Sequence, residues 1–86
     1  MAFARMDQRL AEFLWNAIQR GPNLRMRQIK ITHEEIALEL GTAREVVSRL
    51  LAEFQRGGMV ELSRGAITLC DEQALADYAG ARGHPA

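Results

Sequence analysis

Four polar side chains with the spacing of one helix face are the residues of this sequence best suited to binding chemistry: Arg44, Glu45, Ser48 and Arg49. Residues three or four apart on a helix lie next to one another, so the four side chains form a single patch. An arginine can donate two hydrogen bonds to guanine O6 and N7, and a glutamate can accept one from cytosine N4. The patch therefore predicts a surface that reads base edges in a DNA major groove. The alternative, a solvated face of a surface helix, is what composition alone favours.

A short helix is predicted directly before this patch. Thr32 and Glu35 match a capping box, in which the threonine hydroxyl accepts from the third helical amide and the glutamate reaches back to the cap amide. Gly41 is predicted to end this helix, because glycine tolerates the left-handed conformation in which many helices terminate. The helix then covers about residues 33–40.

The helix that carries the patch is predicted to follow after a very tight turn. Thr42 and Glu45 match a second capping box, which begins a helix of about residues 43–56. Two helices joined this closely are typical of a helix-turn-helix. Opposite the patch, the second helix has an apolar stripe that is predicted to be buried: Val46, Val47, Leu50, Leu51 and Phe54.

A long helix and a short strand are predicted before the helix-turn-helix. Apolar residues at helical spacing indicate a helix from about Phe3 to Arg20, which Gly21-Pro22-Asn23 ends. Polar and apolar residues then alternate over Arg27–Ile31, which predicts a strand. Trp15 lies at the border of the helix's apolar stripe, where it either joins the core or meets another domain.

A β-hairpin and a final helix are predicted after the helix-turn-helix. Gly57-Gly58 ends the second helix, and strands at Met59–Ser63 and Ala66–Cys70 flank a tight turn at Arg64-Gly65. Asp71 is then predicted to cap a short helix whose inward face is formed by Ala74, Leu75 and Tyr78. The predicted fold class is therefore mainly α with a small β-hairpin, a winged helix-turn-helix in which the hairpin is the wing.

Length and composition place limits on the function. The 86 residues, 48% of them hydrophobic, suit one folded domain, predicted at residues 1–80 and followed by a flexible tail at 81–86. Eleven basic and eleven acidic residues give zero net charge, which disfavours nucleic-acid binding because phosphate contacts need a basic surface. The charges are unevenly placed, however: four cations and no acid lie between Arg20 and Lys30.

Other function classes find little support in the sequence. One cysteine, two distant histidines and no paired acids predict no catalytic residues, no metal site and no cofactor, and hence no enzyme. No apolar run is long enough to cross a membrane, and no secretory signal is present, so a cytoplasmic protein is predicted.

The run KITHEEIALELGTAREVVSRLLAEFQRGGMVELSRGAITL resembles the C-terminal DNA-binding domain of the Crp/Fnr family of transcription regulators. The likeness covers roughly Met6 to Gly80, and GTAREVVSRLL is its most specific part. Within that block, Arg44, Glu45 and Arg49 match the base-reading residues of catabolite-activator-type members. Glu45, Ser48 and Arg49 match those of anaerobic-regulator-type members.

The resemblance implies a bacterial regulator domain that binds double-stranded DNA in a sequence-specific manner, with the helix at about 43–56 in the major groove. Family members also carry an N-terminal effector-sensing domain and a long dimerisation helix. Neither fits before Met1, so we expect an excised DNA-binding domain, the alternative being a natural stand-alone one. The alternative from another class is a winged-helix protein-interaction module without DNA binding, which the zero net charge favours.

Contacts outside the patch follow from the same interpretation. The residues expected to meet DNA phosphates are Thr32, His33, Thr42 and Arg64. Thr32 is first a helix cap, His33 is alternatively a solvated first-turn residue, and Arg64 is alternatively a simple turn residue. In Crp/Fnr-like activators, the loop that matches the cationic segment can touch RNA polymerase. That contact is assigned to Arg20, Arg25 and Arg27, the alternative being a solvated loop.

Overall fold

Four helices and three short strands follow one another in the computed structural model, which describes residues 5–20 and 27–80. The elements are α1 (Met6–Arg20), β1 (Gln28–Ile29), α2 (His33–Leu40), α3 (Arg44–Arg56), β2 (Val60–Ser63), β3 (Ala66–Leu69) and α4 (Glu72–Ala79). This order confirms the predicted fold class, a mainly α winged helix-turn-helix with a hairpin. The tail predicted at 81–86 lies outside the described residues, so the domain boundary at residue 80 stays a prediction.

Helix α1 supplies one wall of the core and packs mainly against α4. Within its apolar stripe, Leu10, Leu14 and Ile18 are at most 2% exposed, whereas Met6, Phe13 and Ala17 are half-buried. Within the described residues the helix is assigned from Met6, and the Arg5 carbonyl accepts the Arg9 amide at 2.9 Å. Phe3 and the predicted stop at 21–23 lie outside the described residues.

The capping box at the start of α2 is confirmed. The Thr32 hydroxyl accepts from the Glu35 amide at 3.1 Å, and a Glu35 carboxylate oxygen accepts from the Thr32 amide at 2.9 Å. At the other end, Gly41 has φ +71°, in the left-handed region where a side chain would be strained, and its amide donates to the Ala37 carbonyl. The start and the end of α2 are therefore both encoded locally.

The second predicted capping box, Thr42 with Glu45, is wrong. The residue that precedes α3 in the extended cap conformation is Ala43 (φ −84°, ψ 148°), which has no side-chain oxygen to donate to or accept from the helix. Thr42 instead belongs to the end of α2, because its amide bonds to the Ala37 carbonyl at 3.0 Å. The turn thus takes one residue more than predicted, and α3 begins at Arg44.

The wing is a three-stranded antiparallel sheet rather than a two-stranded hairpin. Strand β1 pairs with β3, so the strand order is β1-β3-β2. The predicted strand at 27–31 is shortened to Gln28–Ile29. At its start, Arg27 adopts φ +52°, which lies outside the β region of backbone conformation. A side-chain bond from Gln28 Nε2 to Thr68 Oγ1 at 3.2 Å supports the added pairing.

The core lies between α1, α2, the inner face of α3, the sheet and α4. On α3, the predicted apolar stripe is buried except for Val46, which is half-buried. On α4, Leu75 is buried as predicted, whereas Ala76 and Ala79 are buried in place of Ala74. The buried residues that α3, the sheet and the connection between α3 and β2 contribute there are Val47, Leu50, Leu51, Phe54, Met59, Val60, Ile67 and Leu69.

Tyr78 joins α4 to two other helices. Its ring lies edge-on to the Phe54 ring at 5.1 Å between centroids, and its hydroxyl donates to Asp7 Oδ2 at 2.6 Å. This hydrogen bond lowers the pKa of the Asp7 carboxyl and raises the pKa of the Tyr78 hydroxyl, in each case as the largest cause. A depressed carboxyl pKa contributes stability that is present above the ordinary value of 3.8 and is lost as the pH falls through the folded value.

We expect Tyr78→Phe to lower the free energy of unfolding at pH 7 by about 1 kcal/mol, since it removes a hydrogen bond to a partly solvated carboxylate. The difference between wild type and variant should narrow as the pH falls from the ordinary carboxyl value of 3.8 through the lowered pKa of Asp7 in the folded wild type. Urea denaturation of both proteins between pH 3 and 7 measures this. A difference that stays constant over the whole range would show that the bond to ionised Asp7 contributes nothing in solution.

Candidate nucleic-acid interface

The outer face of α3 presents three of the predicted base-reading side chains to solvent. Arg44, Glu45 and Arg49 are exposed on the side opposite the buried stripe. Within residues 5–20 and 27–80, none of the three takes part in an ion pair of 4.0 Å or less. Their donors and acceptors are therefore available to a ligand that enters along the helix.

Ser48, the fourth predicted base-reading residue, differs from the other three. It is half-buried, and its hydroxyl lies 2.8 Å from His33 Nδ1, within hydrogen-bonding distance. His33 is the first residue of α2 and is half-buried as well, so it is not the solvated first-turn residue of the alternative interpretation. The crossing of the two helices brings together residues fifteen positions apart, a contact that no local pattern in the sequence indicates.

An open groove of about 580 Å³ runs between the start of α2, the start of α3 and the tip of the wing. It brings together three of the four predicted phosphate contacts, Thr32, His33 and Arg64, with the base-reading residue Arg44. The residues that line it are Ile31, Thr32, His33, Glu34, Arg44, Leu62, Ser63, Arg64 and Gly65. Thr42, the fourth predicted phosphate contact, is half-buried in the turn and is not part of this lining.

The electrostatics of the groove are mixed. The amino terminus of α2 offers unpaired amides and the positive end of the helix dipole, both of which favour an anion. The Thr32 hydroxyl accepts from an amide in the capping box, so its proton remains available for a phosphate oxygen. Against this, Glu34 lines the groove and repels phosphate. Positive charge at the groove comes from Arg44 and Arg64.

The wing tip is held close to α3 by a residue that sequence reasoning missed. Gln55 Oε1, near the end of α3, accepts from the Leu62 amide of the edge strand β2 at 2.7 Å. The two-residue turn beyond this strand uses Gly65 at φ +69° and leaves the Arg64 side chain exposed. Gln55 therefore links β2 directly to α3, which helps to hold the wing and Arg64 in position relative to α3.

Two of the three cationic residues assigned to a polymerase contact, Arg20 and Arg27, do not line the groove. Arg27 forms an ion pair with Glu72 at 3.0 Å, which ties it to α4. Arg20 is exposed at the end of α1, and Arg25 lies outside the described residues. Arg20 and Arg27 thus lie outside the groove, and the polymerase contact stays a prediction.

The described residues show neither a metal site nor a membrane helix. Over residues 5–20 and 27–80, no three His, Cys, Asp or Glu side chains lie close enough together to hold a metal ion. No helix in this part of the chain has both the length and the apolar character needed to span a bilayer.

A helix-turn-helix whose second helix exposes arginines and a glutamate beside a β-wing defines a winged helix-turn-helix domain of the DNA-binding type. Comparison with known families agrees: residues 8–78 match the Crp-like helix-turn-helix domain, and the chain belongs to this family. The chain is thus a DNA-binding domain of the kind found in Crp/Fnr transcription regulators, which confirms the resemblance seen in its sequence.

Individual relatives support this assignment. The chain is 37% identical over 78 residues to the fumarate and nitrate reduction regulatory protein of Escherichia coli K12, an alignment that covers 86% of this chain and 31% of that protein. A Crp/Fnr-family transcriptional regulator from Eubacterium rectale superposes with a TM-score of 0.78 at 41% identity, over 87% of this chain and 33% of its own. The catabolite activator protein of Thermus thermophilus superposes with a TM-score of 0.77 at 29% identity, over 87% of this chain and 34% of its own. The chain therefore spans about a third of the length of these relatives.

Proposed function

We propose that the domain reads a specific DNA half-site by inserting α3 into the major groove, with Arg44, Glu45 and Arg49 on base edges. The observation that carries this proposal is the exposure of these three side chains, without ion-pair partners in the described part of the chain, on the face of α3 opposite its core contacts. Each type suits a base edge, since arginine donates twice to guanine and glutamate accepts from cytosine N4.

Phosphate contacts on either side of the groove complete the proposed interface. The start of α2, with Thr32 and His33, takes one phosphate, and Arg64 at the wing tip takes another. Thr42 is proposed as a further phosphate contact from the turn. Because the net charge is zero and only two arginines, Arg44 and Arg64, line the groove, binding should be weak at physiological salt and should weaken further as salt rises.

Selection of binding sites from random duplex DNA tests this proposal directly. We expect enrichment of one short motif that contains G·C pairs at the positions contacted by the arginines. The protein-interaction alternative, which the family assignment disfavours, predicts no enrichment of any motif. Measuring affinity for the selected site and for a scrambled duplex at 50 and 200 mM salt then separates specific from nonspecific binding.

Arg64→Ala should weaken binding to all sequences to a similar extent, because a phosphate contact carries no sequence information. The slope of log affinity against log salt concentration should become shallower by about one. Arg9→Ala is the matched control, since Arg9 is exposed on α1 and does not line the groove. A loss confined to the selected site would instead place Arg64 on a base edge.

The parent regulator is proposed to be a cytoplasmic bacterial protein that carries effector-sensing and dimerisation parts outside this chain. The relatives support this proposal because they are about three times as long as the matched region. No cofactor and no catalytic activity are proposed for the chain itself.

Contact with RNA polymerase through Arg20, Arg25 and Arg27 is proposed from the family resemblance. Charge reversal at Arg20 and Arg25 should lower transcription while leaving DNA affinity nearly unchanged.

A further inference from the structure

The hydrogen bond between His33 and Ser48 connects the phosphate side of the groove to the base-reading face. His33 lines the groove beside Thr32, whereas Ser48 lies on α3 among the base-reading residues. The distance from Nδ1 to Oγ is 2.8 Å, and both side chains are half-buried. In the ranges 5–20 and 27–80, no other side-chain hydrogen bond joins α2 to α3.

The state of the imidazole decides what Ser48 can offer to a ligand. A serine hydroxyl has one proton and two lone pairs, and a neutral imidazole has one N–H donor and one bare nitrogen acceptor. If Nδ1 is bare, it accepts the Ser48 proton, and Oγ presents only lone pairs to the outside. If Nδ1 carries the proton, it donates to Oγ, and the Ser48 O–H is free to donate elsewhere. The tautomer therefore sets the hydrogen-bonding polarity of Ser48.

The phosphate contact proposed at the start of α2 selects one of these states. Because Nδ1 is taken by Ser48, the nitrogen left for a phosphate oxygen is Nε2. A phosphate oxygen only accepts, so Nε2 must carry the proton, and in the neutral ring Nδ1 is then bare. Ser48 consequently donates to His33 and turns its lone pairs toward the major groove.

We propose that His33 is a positioning residue that makes Ser48 a hydrogen-bond acceptor in the DNA complex. This inference rests on the proposed function of α3 as the base-reading helix. An acceptor in the major groove pairs with an exocyclic amino group, which is adenine N6 or cytosine N4. Ser48 therefore favours adenine or cytosine over thymine or guanine at the one base that it faces, and His33 enforces this preference without touching the base.

Variants of His33 can separate this role from a simple phosphate contact. Asparagine places a carbonyl oxygen near the former Nδ1 position and can still accept the Ser48 proton. Glutamine places its amide near the former Nε2 position, so it can reach a phosphate but releases Ser48. Sites should be selected from random duplex DNA at pH 8, where histidine side chains are generally neutral. The proteins compared are wild type, His33→Asn, His33→Gln, Ser48→Ala and the His33→Gln/Ser48→Ala double variant.

We expect wild type and His33→Asn to prefer adenine or cytosine at one position. His33→Gln should reduce that preference by about 2- to 10-fold, the effect of one hydrogen bond, while preferences at the arginine-read positions persist. Ser48→Ala should lose the same preference, and adding His33→Gln to it should cause no further loss there, because the two residues act as a unit. Thermal melting of each variant confirms that the fold is retained.

Three outcomes would overturn the inference. One is an unchanged preference in His33→Gln, and another is a preference for thymine or guanine at the Ser48 position. The third is a loss of affinity by His33→Gln that is equal on every DNA sequence, which would leave His33 as a phosphate contact alone. An absence of any selected motif for the wild-type protein would instead reject the proposed base reading by α3, so the two failures are distinguishable.

Discussion

Leu51→Ala is expected to lower the free energy of unfolding by about 2–5 kcal/mol. Leu51 lies on the inner face of α3 and is 0% exposed, so its removal leaves a cavity in the centre of the core. A chain of this length has a total stability of roughly 4–13 kcal/mol at 0.05–0.15 kcal/mol per residue. The substitution therefore removes a large share of the total. Each kcal/mol lowers the melting temperature of a domain this small by about 4–8 °C.

Leu38 provides a matched control for this prediction. It is also a leucine in a helix of the helix-turn-helix, but its side chain is 78% exposed. Leu38→Ala removes the same atoms from an exposed site and should change stability by less than about 0.5 kcal/mol. Thermal melting of both variants makes the comparison. Equal melting temperatures for the two would mean that the inner and outer faces of the motif helices are assigned incorrectly.

Features that depend on neighbouring residues were predicted well from the sequence. Helical periodicity gave the buried stripe on α3, and the Thr32–Glu35 pair gave the start of α2. Glycine at the end of α2 and Asp71 at the start of α4, whose side chain accepts from the Ala74 amide, are equally local. These patterns succeed because a helix and its caps are stabilised by contacts within a few residues.

Two errors show where local patterns fail. Thr42 and Glu45 have the spacing of a capping box, but the Thr42 amide is used to close α2, so the pattern begins one residue too early. Strand β1 was predicted without a named partner strand, whereas Gln28 of β1 pairs with Thr68, forty residues away. Strand pairing over such a distance depends on how the helices pack, which periodicity does not contain.

The candidate site also has features that local patterns predict and features that depend on tertiary structure. The exposed face of α3 follows from helical spacing, and Arg44, Glu45 and Arg49 were found from it. The bonds from His33 to Ser48 and from Gln55 to Leu62 join separate elements. Neither could be predicted, because each depends on the crossing of α2 with α3 or on the position of the wing. The residues of the interface can thus be identified from the sequence. The hydrogen bonds that orient them depend on tertiary structure.

Arg49→Ala is expected to remove most of the discrimination between the selected DNA site and a scrambled duplex. Arg49 is exposed on α3 with no role in the core, so the variant should keep its fold. Loss of a bidentate contact to guanine costs about 1–3 kcal/mol, which corresponds to about 5- to 150-fold in affinity. Fluorescence anisotropy titrations with the selected and scrambled duplexes at one fixed salt concentration measure the effect.

Arg49→Lys distinguishes base reading from a simple charge effect. Lysine keeps the positive charge but lacks the planar fork that donates two parallel bonds to guanine O6 and N7. If Arg49 reads a base, Arg49→Lys should retain affinity for the scrambled duplex and lose much of the preference for the selected site. Equal affinity of Arg49→Lys and wild type on both duplexes would mean that Arg49 meets only a phosphate. The specificity of α3 would then rest on Arg44, Glu45 and the Ser48 hydroxyl held by His33.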